Sequence, residues 1–175
     1  VVSLQAPSGR YDEIFLPLFG AHQAANASVA LAAVESFLGG GTEPLNEDVL
    51  RAGFAQVSSP GRLEVVRRGP TVVVDAAHNP HGARALAAAI TDSFEFTHLV
   101  GVVAVLSDKD ARGLLEALEP VLASVVVTRS SSPRATDVDE LAAVAVEVFG
   151  ADRVEVATRL AEALDVAIEA ADTAA

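Results

Sequence analysis

Beyond residue 60 the chain repeats one pattern: a short valine-rich run, a polar loop, then a stretch with helical spacing. The runs are LEVVRR, TVVVD, THLVGVVAVL, SVVVT and RVEVA. Strands this continuously apolar bury both faces, which is the habit of a parallel sheet clad in helices. Helical spacing recurs over about 80–92, 110–118, 138–149 and 158–171. The first two runs flank Gly69-Pro70, a turn signal, and are predicted to form a hairpin. The expected fold is therefore α/β and doubly wound, Rossmann-like. Its sheet is mostly parallel with one antiparallel strand, and helices cover both faces.

The first sixty residues read differently. Residues 1–19, VVSLQAPSGRYDEIFLPLF, form two short strands around Pro7-Ser8-Gly9. They look too short for a domain of their own and are read as the end of something that precedes. Residues 20–38 are alanine-rich with helical periodicity, and Gly39-Gly40-Gly41 stops them. Asn46, followed by Glu47 and Asp48, has the chemistry of an N-cap with acids in the first turn, and opens a helix to about Gln56.

Charge and composition exclude several classes. The 175 residues are 51% hydrophobic, enough for a real core. A net charge of −12 with scattered arginines speaks against nucleic acid, which attracts a basic face. No long uncharged apolar stretch predicts a membrane span. No basic and then apolar leader opens the chain, so no signal peptide is expected. Cysteine is absent, which removes disulfides, thiolate catalysis and Cys-ligated zinc, and fits a cytoplasmic protein. His78 and His81 lack a third nearby imidazole, so no metal site is expected on this chain.

In sheets of this kind ligands bind beyond the carboxyl ends of strands. Three polar clusters fall there: Asp75, His78 and Asn79; Ser107, Asp108, Lys109 and Asp110; Arg129, Ser130, Ser131, Ser132 and Arg134. Asp75 closes an apolar strand. Its two oxygens suit the two hydroxyls of a ribose, or it caps the next helix. His78 contacts an anion or shuttles a proton, or is a loop histidine bonded to backbone. Asn79 before Pro80 fits an N-cap with proline at the first helical position. Lys109, the sole lysine, steers a carboxylate or pairs with the aspartates beside it. Ser132 and Arg134 clamp a carboxylate or form a plain loop.

Upstream, Asn26 is a poor mid-helix residue whose amide suits an adenine edge or solvent. Arg62 could stack on a flat base or sit in a surface ion pair. One motif is missing. A P-loop requires lysine after glycine, but Lys109 follows Asp108, and Gly39-Gly40-Gly41-Thr42 has no lysine. No G-x-G-x-x-G follows a strand either. If this chain touches ATP, another domain must hold the phosphates.

These residues form an ordered set: LPLFGAHQAANASVALAA, PGRLEVV, VVVDAAHNPHGARAL, SDKD, and SSSPRA followed by DELA. In that order they resemble the C-terminal domain of the folylpolyglutamate and dihydrofolate synthases, within the Mur-ligase superfamily. The resemblance covers nearly the whole chain. It implies a two-domain, monomeric ligase whose N-terminal domain carries the P-loop, the Mg2+ and most of the folate pocket. Residues 1–19 would close that ATPase domain, residues 20–175 would form the C-terminal domain, and this fragment would be inactive alone. The implied reaction joins L-glutamate to folate or dihydropteroate through an acyl phosphate, at the expense of ATP. The family pattern puts adenine near Asn26, a base or phosphate contact at Arg62 and ribose at Asp75. It places His78 catalytically, towards glutamate and the reacting phosphate, with Ser107, Lys109, Ser132 and Arg134 on the glutamate side. Ala76 departs from the glycine of many members, which matters only if the backbone there needs a positive φ. Two alternatives stand beside this reading: a Mur-type peptidoglycan ligase domain, and a non-catalytic α/β binding module.

Overall fold

The computed structural model describes residues 1–173. The chain divides into two compact units, Val1–Glu64 and the residues from Val65 onward.

The first unit starts with an antiparallel hairpin, β1 (Val2–Ala6) and β2 (Gly9–Ile14), in which Leu4 faces Tyr11. Two helices follow, α1 (Ala21–Gly39) and α2 (Glu47–Ala55). Gly40 ends α1 with a φ of 62°, the left-handed conformation that glycine adopts without strain. Asn46 caps α2 as its chemistry predicts, its side chain accepting from the amides of Asp48 and Val49. Leu4, Ala6, Tyr11 and Ile14 of the hairpin pack with Ala27 and Leu31 of α1 and Leu50 of α2.

One polar group lies within this apolar unit. Glu35 on α1 is 0% exposed. Its carboxylate accepts from the Ser8 amide at 3.1 Å, the Ser8 hydroxyl at 2.5 Å and the Tyr11 hydroxyl at 2.6 Å. The Tyr11 oxygen accepts in turn from the Leu45 amide at 2.8 Å. Burial pushes the Glu35 pKa up, but the donors from Ser8 and Tyr11 outweigh it and hold the carboxyl below its ordinary value. The acid thus ties the hairpin turn to the helix.

The second unit carries a parallel three-stranded sheet, ordered β5 (Val100–Val103), β6 (Ser124–Val127), β7 (Val154–Val156). Ahead of it come β3 (Glu64–Arg67) and β4 (Val72–Val74), then α3 (Pro80–Ser93). The crossovers are α4 (Ala111–Leu118) and α5 (Val138–Phe149), and α6 (Leu160–Thr173) comes last. Strand alternation sends side chains to opposite faces. Val103, Val125 and Val127 therefore join the core with Ala83, Leu115, Leu141 and Ala145 from α3, α4 and α5. Val126 turns the other way, with Val100 and Val102, onto Ala163 and Ala167 of α6. Both faces of this sheet are covered, as the valine runs require.

One expectation needs correction. The antiparallel strand foreseen in the main sheet is not there among the described residues. β3 and β4 instead form a two-stranded sheet of their own. β4 is only three residues long, and its nearest partner in sequence is reached by a short loop, which costs little closure entropy.

No helix of the described chain is long and apolar enough to cross a membrane.

Candidate functional site at the strand ends

Because β5, β6 and β7 run parallel, their carboxyl ends share one edge, and the following helices begin beside it. The sequence puts a side-chain cap at the starts of α4 and α5, and another at the start of α3 after β4. Asp110 accepts from the Gly113 amide to open α4, and Asp137 accepts from the Asp139 amide to open α5. Asn79 accepts from the Gly82 amide at 2.8 Å to open α3, with Pro80 at the first helical position. Helix N-termini carry partial positive charge and favour anions at such an edge.

The loops after β5 and β6 are joined. The Ser107 amide donates to the Arg134 carbonyl at 2.8 Å, the Thr136 amide to the Val105 carbonyl at 2.9 Å, and Leu106 bridges to Ala135. Side chains continue the seam. Lys109 Nζ lies 3.1 Å from one oxygen of Asp108, and Arg134 Nη1 lies 3.5 Å from the other. The Lys109 hydrogen bond, followed by weaker backbone and Arg134 contributions, holds the Asp108 carboxyl below its ordinary value against the opposing effect of burial. Ser132 Oγ accepts the Arg134 amide at 3.2 Å. Ser107, Lys109, Ser132 and Arg134, which the family resemblance puts on the glutamate side together with His78, thus lie on two joined loops. Of the two readings of Lys109, pairing with its neighbour is the one realised.

The loop after β4 reaches the same neighbourhood through its helix. A methyl built on Gly113, in the first turn of α4, would lie 2.7 Å from the Pro80 ring. The start of α3 is therefore pressed against the start of α4. Asp75 is half-buried, at the rim and not in the core. Its Oδ1 accepts the Ala77 amide at 2.8 Å, so it organises its own turn and leaves the capping of α3 to Asn79. His78 is exposed, with Nδ1 3.1 Å from the Ala76 carbonyl. Ala76 is not among the residues with positive φ, so replacing glycine there carries no backbone strain.

Asn26 and Arg62 lie in the first unit. Asn26 is exposed on α1, its amide 3.4 Å from Gln23 Oε1. Arg62 is exposed after the Pro60-Gly61 turn, and its guanidinium makes no ion pair among the described residues. The surface ion pair considered for it from sequence is not formed.

Two features escaped the sequence reading. Asp108, one residue in a charged cluster, is the acid that links the two loops. Thr128, directly after β6, is 1% exposed and its hydroxyl has no hydrogen-bond partner among the described residues. The signal for it was available: SVVVT ends its apolar run on a hydroxyl, as TVVVD ends on a carboxylate.

Comparisons with known proteins show the family and the fold. Residues 61–174 match the family model described as Mur ligase, glutamate ligase domain. The chain is 56% identical, over its whole length, to the dihydrofolate synthase/folylpolyglutamate synthase of Mycobacterium tuberculosis, of which it covers 36%. Among solved structures, Mycobacterium tuberculosis folylpolyglutamate synthase complexed with ADP superposes with a TM-score of 0.95 at 55% identity, over 99% of this chain and 38% of that one. A bifunctional folylpolyglutamate synthase/dihydrofolate synthase with Mn, AMPPNP and L-glutamate bound gives a TM-score of 0.77 at 29% identity, over 94% of this chain and 37% of that one. The chain thus spans little more than a third of the length of these relatives.

Proposed function

The chain belongs to the family of Mur ligase glutamate ligase domains, and from that premise we propose that it serves an ATP-dependent ligase adding L-glutamate to folate or dihydropteroate. The observation that carries the reading is the pair of cations, Lys109 and Arg134, assembled around one carboxylate at the sheet's carboxyl edge. A site that already holds the Asp108 carboxylate has the charge and donors to hold those of an incoming amino acid. Ser107 and Ser132 stand beside it with hydroxyls.

In this reading a second lobe of the longer protein supplies the P-loop, joined through residues 1–19, with residues 20–175 as the C-terminal domain. That lobe grips the triphosphate and Mg2+. Asn26, Arg62 and Asp75 contact adenine, base or phosphate, and ribose. ATP phosphorylates the acceptor's carboxylate to an acyl phosphate and leaves as ADP. The glutamate amine then attacks the acyl carbon, the C–N bond forms, and phosphate departs. His78 lies towards the amine and accepts its proton. Closure of the lobes excludes water, which would otherwise hydrolyse the acyl phosphate. We place the enzyme in the cytoplasm, as a monomer. The fragment alone is inactive and binds nucleotide in the millimolar range at best, about −4 kcal/mol, since its phosphate contacts lie elsewhere.

The test is a product assay on the full-length protein with ATP, L-glutamate and two kinds of acceptor, folates and a peptidoglycan precursor. Glutamate added to the folates and not to the precursor is the expected result. Addition only to the precursor, or to neither, defeats the proposal. A non-catalytic module would also leave turnover and the ATP KM unchanged on Asp75→Ala or Arg62→Ala.

A further inference from the structure

We propose that Asp75 is a positioning residue that decides which nitrogen of His78 carries the proton. The chain of contacts is short. Asp75 Oδ1 accepts the Ala77 amide at 2.8 Å, closing an Asx turn directly after β4. That turn holds the Ala76 carbonyl 3.1 Å from His78 Nδ1. A carbonyl oxygen can only accept, so Nδ1 must be the donor. In the neutral ring the lone pair then belongs to Nε2. On the far side of His78, Asn79 is fixed by the Gly82 amide at 2.8 Å as the cap of α3. The histidine therefore sits between two side-chain-to-backbone bonds, one joining the residues three and one before it and one spanning the start of the helix. Its ring is exposed.

The chemical consequence rests on the ligase reading above. With Nδ1 protonated, Nε2 is an acceptor, able to take a proton from the glutamate ammonium and so free the amine lone pair for attack. The other tautomer would turn an N–H outward and oppose that transfer. Asp75 acts on this by shaping the turn that presents the Ala76 carbonyl.

The experiment reads the tautomer directly on the full-length protein, with no ligand and no turnover. Side-chain 15N correlation spectra of the neutral His78 ring give distinct resonances for protonated and unprotonated nitrogens. The wild type is expected to show Nδ1 protonated. Asp75→Asn, which keeps an acceptor oxygen, is expected to preserve that pattern. Asp75→Ala, checked for retained amide dispersion, is expected to lose it, with Nε2 gaining the proton. A wild-type ring protonated on Nε2 overturns the proposal without any variant, so a misfolded alanine variant does not protect it. Loss of the pattern in Asp75→Asn, or its survival in a folded Asp75→Ala, also overturns it. Failure of the full-length protein to add glutamate would sink the ligase reading and leave this assignment standing, so the two are separable.

Discussion

Arg134 reaches across from the loop after β6 to place Nη1 3.5 Å from Oδ1 of Asp108, on the loop after β5. Lys109 takes the other carboxylate oxygen. One acid thus holds two cations from two loops in a common geometry. Under the proposed function, Lys109→Ala and Arg134→Ala in the full-length protein each raise the glutamate KM. A charge-assisted hydrogen bond is worth about 1.5–3 kcal/mol, so the expected rise is roughly 10- to 150-fold. The ATP KM should move little. Steady-state kinetics with each substrate varied decide it, and an unchanged glutamate KM removes both residues from the site.

Glu35 gives the first unit a pH dependence. Its folded pKa lies below the ordinary 4.5 because Ser8 and Tyr11 donate to the charged form, despite burial. A depressed carboxyl stabilises the fold above the unfolded value, and that stabilisation is lost as pH falls through the folded one. Thermal melts of the chain should therefore show a falling Tm below about pH 4.5. Glu35→Gln should lower Tm at pH 7 and flatten the acid limb. A variant whose melting curve parallels the wild type from pH 7 to 3 would show that the carboxylate contributes nothing.

Asn79 is expected to be worth about 1 kcal/mol as an N-cap. Asn79→Ala leaves the Gly82 amide without its side-chain acceptor, so the first turn of α3 should fray. Denaturant unfolding measures the loss, and Asn79→Asp or Asn79→Ser should recover most of it. No change in the midpoint would mean that Pro80 alone starts the helix.

Gly101 is small because Leu122 needs the space. A methyl on Gly101 would lie 2.6 Å from Leu122 Cδ1, and Leu122 is itself buried in the main core. Gly101→Ala should therefore destabilise by about 1–3 kcal/mol through overpacking. The double variant with Leu122→Val, which withdraws one methylene, should cost less than the sum of the single changes. Simple additivity in chemical denaturation would refute the contact.

Local chemistry made much of this protein readable from its sequence. Asn46 and Asn79 cap the helices they precede because each cap bonds an amide three residues on. The valine runs announced a sheet covered on both faces because strand alternation with helices leaves few other arrangements. The strand-end clusters could be located for the same reason, since a parallel sheet puts those loops on one edge. Pairings across the fold were beyond that reach. Glu35 looks like a misplaced acid in an alanine-rich helix until the hairpin brings Ser8, 27 residues away, and Tyr11, 24 away, against it. Asp108 meets Arg134 only once β5 and β6 lie side by side, and β3 and β4 pair with each other in a sheet separate from β5, β6 and β7. Sequence by itself set whatever depends on contacts within a few residues and on periodic burial. Tertiary structure alone decided which charges meet, because that depends on where distant segments are packed.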